Sequence, residues 1–177
     1  MSEALVPSTE GHIIDTNLFI VFERNDALEL LERVVTERGV EFLIPERVYD
    51  ELTPEELPYR TPPVDEAIDA GWIRVVEEID YADPVVSSTM DLVRRYIAAA
   101  DGRSEHDIEQ TDAVVGGLTA TLLVQEQVDS VAVYTSDRAA FRGIERALVE
   151  HGYDDQVQLV RAFDFFETVQ DRYRFES

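Results

Sequence analysis

The run Val131-Ala132-Val133-Tyr134 carries no polar residue on either side of its alternation, and that constrains the fold more than any other feature of the chain. A strand with one wet face alternates apolar and polar side chains. An unbroken apolar strand needs cover on both faces, which parallel sheets obtain from the helices of their crossovers. His12-Ile13-Ile14 has the same character and ends in an acid, Asp15. Further strands are expected at 41–44, 72–76 and 157–160.

Helical periodicity fills the intervals. Residues 18–22 continue apolar from the first strand, and 26–38 follow with the stripe Leu30, Leu31, Val34 and Val35, closed by Gly39. Pro45 suits a first helical turn, and Val48, Tyr49 and Leu52 form the inner side of a short helix to about 53. A turn or two is expected at 64–70. A helix follows at 84–100, carrying Val85, Met90, Val93 and Ile97 and ended by Asp101-Gly102. A long helix is expected at 106–126, then one capped by Ser136 or Asp137 with the stripe Phe141, Ile144 and Leu148, and a last one at 163–173. Strands alternating with helices predict an α/β protein with three α/β/α layers around a central, mostly parallel sheet. Residues 1–177 are expected to form one domain, with 54–105 an extended helical and loop region and 161–177 its C-terminal helix. The acid- and proline-rich 54–63 is too short to separate one core from another and reads as a surface connection.

Composition narrows the chemistry. Cysteine is absent, which excludes disulfides, thiol catalysis and cysteine-ligated metals, and all 15 basic residues are arginine. Without lysine, P-loop phosphate binding, Schiff-base chemistry and pyridoxal phosphate anchoring lose their ammonium group. Thirty-eight acids leave a formal net charge of −23, which fits either a cationic partner or a solvated surface adapted to a salty cytoplasm. At about 1 M salt the Debye length is only about 3 Å, so such acidity does not by itself argue against a polyanionic ligand. No stretch reaches the roughly 18 apolar residues of a membrane span and no signal peptide is visible, so a cytoplasmic protein without a membrane partner is expected.

Most of the acids need no explanation beyond solvation; four stand where solvation does not account for them. Asp15 lies at the carboxyl end of the first strand and Asp137 just beyond the run 131–134, the edge where open α/β sheets place ligands. Either could equally be a helix N-cap. Asp112 shares a helical stripe with Ile108, Val115 and Leu122, which aims a carboxylate inward and asks for an arginine, a metal or a raised pKa. Glu51 borders the inner face defined by Val48 and Leu52, although a solvated rim explains it as well. Four carboxylates in one cleft require cations between them, and an all-oxygen set suits Mg²⁺ or Mn²⁺, as one ion or two. His12, His106 and His151 show no paired spacing and read as surface or packing residues, and Gly116 and Gly117 as permitting close helix packing.

Four segments then resemble, in order, the motifs of PIN domains. They are Ile13-Ile14-Asp15-Thr16-Asn17-Leu18-Phe19-Ile20; Ile44-Pro45 with Val48-Tyr49-Asp50-Glu51-Leu52; Thr111-Asp112-Ala113 through Gly116 and Ala120; and Tyr134-Thr135-Ser136-Asp137-Arg138 with Phe141. The likeness spans about 11–160. The resemblance implies a central parallel sheet flanked by helices and a metal-dependent endoribonuclease, VapC-like, with Asp15, Glu51, Asp112 and Asp137 as catalytic and metal-binding residues. The chain is accordingly expected to cleave RNA, as the toxin of a toxin-antitoxin pair or an RNA-processing nuclease. An antitoxin partner and a homodimer are implied by the family alone, and a salt-adapted source by the composition.

Around the acids, Asn17, Thr135 and Ser136 could orient carboxylates by hydrogen bonds or serve only as turn and cap residues. Arg138 and Arg142 are candidate phosphate contacts or members of a solvated helix face. Haloacid-dehalogenase-like phosphatases and response-regulator receivers need a lysine that is missing here, and Asp15-Thr16-Asn17 lacks the phosphatase's second aspartate. The alternative that remains is a PIN-like module that binds RNA or protein without turnover.

Overall fold

A computed structural model of the chain describes residues 6–55, 61–104 and 110–174. In order, the elements are β1 (Gly11–Ile14), α1 (Thr16–Arg24), α2 (Leu28–Arg38), β2 (Phe42–Pro45), α3 (Glu46–Leu52), α4 (Pro63–Ala70), β3 (Ile73–Val76), α5 (Pro84–Asp101), α6 (Gln110–Val124), β4 (Val131–Thr135), α7 (Arg138–Glu150), β5 (Val157–Arg161) and α8 (Ala162–Tyr173). The expected His106 and Ile108, with the expected first turn of the long helix, lie outside the described residues, as do residues 56–60 of the connection at 54–63.

The five strands form one sheet in the order β3-β2-β1-β4-β5, and every adjacent pair is parallel. The expectation of a mostly parallel sheet thus becomes a wholly parallel one. β1, β2 and β4 are buried at every position, as unbroken apolar strands require, while the edge strand β5 is only half-buried. One face is covered by α1, α2 and α8, which touch one another, and the other by α5, α6 and α7. This is the three-layer α/β/α arrangement.

Two aromatic layers fix the first face. Tyr134 lies 5.1 Å from Phe42 and 5.3 Å from Phe165 between ring centroids, and Phe22 meets Phe166 edge-on at 5.1 Å. His12 belongs to this packing. Its Nδ1 lies 2.9 Å from the Tyr134 hydroxyl and its Nε2 3.0 Å from the Thr9 carbonyl. A carbonyl can only accept, so Nε2 carries the proton and Nδ1 accepts from Tyr134. Burial holds its pKa below the ordinary 6.5, against the Thr9 hydrogen bond that raises it.

On the second face three glycines bring the helices together. A Cβ at Gly143 of α7 would sit 2.6 Å from the Val93 Cα and 2.8 Å from its nitrogen, so α7 rides against the backbone of α5. Gly116 of α6 would meet the Val93 and Ile144 side chains at 3.0 and 3.2 Å, and Gly117 the Met90 sulfur at 2.9 Å. Gly116 and Gly117 therefore have the close-packing role expected of them.

Helix ends follow their caps. Gly39 and Gly102 close α2 and α5 in the left-handed conformation, both at φ 65°. Asp83 caps α5 by accepting from Val85 and Val86 N–H. Pro45 departs from its expected place: it is the last residue of β2 and the N-cap of α3, one position before the first turn.

Candidate functional site

In an open parallel sheet, the crevice lies where the strand order reverses, beyond the carboxyl ends of the two strands at the switch. Here the chain winds outward from β1 to β2 and β3, then returns to place β4 on the other side of β1. The switch point is between β1 and β4, paired in register from Gly11 with Val131 to Ile14 with Tyr134. Asp15 is the first residue past one strand and Asp137 the second past the other.

Both aspartates are N-caps. Asp15 Oδ1 accepts from Leu18 N–H at 2.9 Å and Asp137 Oδ1 from Ala140 N–H at 3.0 Å. The two sequence readings are therefore compatible: one oxygen can cap a helix while the residue still stands at the ligand edge. They are joined through Thr135, whose hydroxyl donates to Asp15 and accepts from Asp137 N–H at 3.1 Å. Asn17 donates to the Ser136 hydroxyl at 3.1 Å, tying the start of α1 to the turn after β4.

Asp15 is 3% exposed. Burial pushes its carboxyl above the ordinary 3.8, and hydrogen bonds from Leu18 N–H, the Thr135 hydroxyl, Ser136 N–H and Asn17 N–H pull it back down. No arginine of the described residues pairs with it.

Glu51 reaches the same edge from α3. The helix buries Val48 and Leu52 and leaves Glu51 exposed, on the rim of the inner face, the place that the solvated reading gave it. Its carboxylate instead bridges two hydroxyls. Thr16 donates to Oε2 at 2.6 Å and Thr111 donates to Oε1. Thr16 follows Asp15 and Thr111 precedes Asp112, so this bridge draws three of the four acids into one neighbourhood. Thr16 and Thr111 had not been singled out from sequence. Their signal was adjacency to an acid, which a count of charges overlooks.

Asp112 is half-buried, two residues into the described part of α6. The stripe that pointed it inward is not a distinguishing face. Around Asp112, α6 is buried on nearly every side from Thr111 to Leu123, because it lies against β1, β2 and β4 with α3, α5 and α7 packed around it. A helix buried all round has no solvent stripe to contrast with an apolar one.

Residues 8–174 match the family described as the halobacterial PIN domain. The chain belongs to that family. Nothing among curated proteins matches it. PIN domains are in general nucleases, so this one has a nuclease fold, and the halobacterial family fits the salt-adapted composition.

The candidate donors expected from sequence are oxygen only, carboxylates with threonine hydroxyls beside them, a chemistry that suits hard divalent cations rather than zinc or iron. A buried carboxylate without a cationic partner is likewise complementary to a metal ion. Among the described residues, however, no three such side chains converge closely enough to form a ligand cluster. Two of the carboxylates are turned toward the helix N-termini that they cap, and Glu51 toward its threonines.

Two cavities flank the acids. One, of about 410 Å³, lies between α3, α5 and α6 and is lined by Glu46, Asp50 and Glu77 against Arg47 and Arg94. Arg94 is occupied by Asp91 and Gln110, at 3.2 and 2.8 Å. The other, of about 230 Å³, opens past β4 and β5 and begins at Thr135 and Ser136, the residues that contact Asp15. Arg138 lines it; Arg142, one turn along α7, is exposed and does not. No helix among the described residues is long and apolar enough to cross a membrane.

Proposed function

We propose that this PIN domain is a metal-dependent endoribonuclease whose Asp15, Glu51, Asp112 and Asp137 hold one or two Mg²⁺ or Mn²⁺ ions. The observation that carries the reading is Asp15: an almost fully buried carboxylate at the switch point of the sheet, its charge disfavoured by burial and unmatched by any described arginine. Bound there, a hard divalent ion would supply an activated water and neutralise charge developing on a phosphodiester.

The chain's own residues do the positioning. Thr135 holds Asp15 and the Asp137 backbone at a set separation, and Thr16 and Thr111 fix both oxygens of Glu51. Each of those oxygens keeps a second lone pair for a ligand, and Asp137 keeps Oδ2 outside its cap. The resemblance to PIN-domain nucleases supports RNA as the substrate class, and a toxin or RNA-processing role, an antitoxin partner and a homodimer are finer proposals on the same footing.

The test is cleavage of a labelled, unstructured RNA with Mn²⁺ or EDTA in molar KCl. Wild type should cleave only with the metal. Asp112→Asn should abolish cleavage while leaving the far-UV circular dichroism intact. Full cleavage by Asp112→Asn would remove that residue from the reaction, and no cleavage by wild type would favour the second reading, a binding module without turnover. The absence of a converged ligand cluster among the described residues is the observation on that side.

A further inference from the structure

We propose that the cavity past the ends of β4 and β5 is a nucleotide subsite for single-stranded RNA, in which Phe163 stacks one base while Arg138 and Arg161 hold the adjoining phosphates. The inference rests on the reading that the ligand is RNA, and adds to it where a strand lies and what grips it.

Charge is the first argument. In a chain of net charge −23, arginines have abundant carboxylates to pair with, and several do on this surface. Arg138 and Arg161, which line the same cavity, form no ion pair among the described residues. Both also stand at the wrong end of a helix. Arg138 opens α7 and Arg161 is the N-cap of α8, where the helix dipole disfavours a cation. Two guanidinium groups that face one cavity without an ion pair among the described residues are explained by an anionic ligand, and Asp164 is the sole acid among the described residues that line it.

The aromatic is the second argument. Phe163 is 58% exposed although the core lies just beneath it. Its ring centroid is 6.3 Å from that of Phe166, which is buried, so Phe163 is braced on one side and open to the cavity on the other. An exposed aromatic beside guanidinium groups is the arrangement that takes single-stranded bases, because every base has a face to stack. A volume of about 230 Å³ is below the roughly 300–1,000 Å³ of pockets for whole ligands and suits one unit of a longer strand. Continuity with Thr135 and Ser136 puts that unit next to Asp15. The larger cavity on the other side is not equipped in this way, since its acids outnumber its arginines and Arg94 is already paired. Stacking has a further merit here. It is not screened by salt, whereas the phosphate contacts weaken as ionic strength rises.

The experiment is binding of a fluorescein-labelled single-stranded RNA of ten nucleotides, followed by anisotropy in EDTA so that no cleavage consumes it. Phe163→Ala should weaken binding roughly 5- to 150-fold, the range measured for loss of one stacked base, and Phe163→Tyr should restore it. An RNA carrying 2-aminopurine should be quenched on binding to wild type and not to Phe163→Ala. Arg161→Gln should lower the slope of log affinity against log salt by about 0.7, the share of one phosphate on a single strand. Unchanged affinity and quenching in Phe163→Ala would overturn the subsite. So would a dimer that Phe163→Ala dissociates while RNA affinity holds, since a second copy of the chain would then be the occupant. Wild-type binding that depends on Phe163, without cleavage when Mn²⁺ is added, would support the subsite and count against catalysis alone. No RNA binding by wild type would overturn both.

Discussion

Gly143→Ala tests the packing that carries Asp137 into the site. The added methyl carbon would lie 2.6 Å from the Val93 Cα, 2.8 Å from its nitrogen and 2.9 Å from the Leu92 carbonyl oxygen. Comfortable carbon contacts begin at about 3.5 Å, so α7 must withdraw from α5 by nearly 1 Å. The atoms in the way are backbone, and no rotamer change can relieve them. Overpacking typically costs about 1–3 kcal/mol, and this case belongs at the upper end or beyond it. Alanine recovers about 1 kcal/mol in helix propensity, which leaves a net loss of roughly 2 kcal/mol. At about 2–4 °C per kcal/mol for a chain of this size, Tm should fall by about 4–8 °C. Gly116→Ala is the internal control, because its methyl would meet only side-chain carbons, at 3.0, 3.2 and 3.4 Å, which can yield. Its stability should stay within about 1 kcal/mol of wild type once the propensity gain is included. Unfolding followed by circular dichroism in molar KCl measures both. The reasoning fails if Gly143→Ala is as stable as wild type, or if Gly116→Ala suffers more.

Other outcomes follow from the site. With Mn²⁺ at about 100 times its Kd, wild type should gain about 2.7 kcal/mol of stability and Asp15→Asn should gain much less; equal shifts would exclude Asp15 as a ligand. In EDTA at pH 7, Asp15→Asn should be at least as stable as wild type. Burial raises the Asp15 carboxyl above 3.8, so its contribution is full below that pH and lost as the pH rises through the raised value. A urea titration at pH 4 and pH 7 checks this, and a larger deficit of the variant at pH 7 would contradict it. His12→Gln should lose less stability than wild type as the pH falls below 6.5. The lowered pKa of His12 makes its contribution full above 6.5 and lost as pH falls toward the folded value, so parallel curves would refute the assignment. Thr16→Val removes the donor to Glu51 Oε2 and should cut RNA cleavage roughly 10-fold, the usual loss when an orienting hydrogen bond goes, with stability within about 1 kcal/mol. Unaltered cleavage would mean that Thr16 does not orient Glu51.

Local chemistry made much of this protein legible in one dimension. The unbroken run 131–134 implied a strand covered on both faces and became β4, a fully buried interior strand of a parallel sheet. Gly39 and Gly102 ended the helices that they were expected to end, and Asp137, offered as a cap, caps α7. These features depend on neighbours a few residues away, which is why periodicity and cap chemistry suffice for them. The four acids were also visible, as carboxylates that solvation did not explain.

What the order of residues did not contain is distance. The common edge of Asp15 and Asp137 was legible from the strand pattern, but that they are neighbours on it follows only from β4 returning to lie beside β1, and that Glu51 joins them follows from Thr16 and Thr111 closing on it from two other helices. The same holds for Phe163: along the chain it is one apolar residue at the start of the last expected helix, and only the packing of α8 leaves it uncovered beside two arginines from different elements. Burial gives α6 its uniform environment in the same way, erasing the stripe by which Asp112 had been read. Sequence determines which segments become strands, helices and caps because those choices are settled over one or two turns of chain. Which side chains meet depends on crossovers that span the whole chain, and those are decided by the packing of layers.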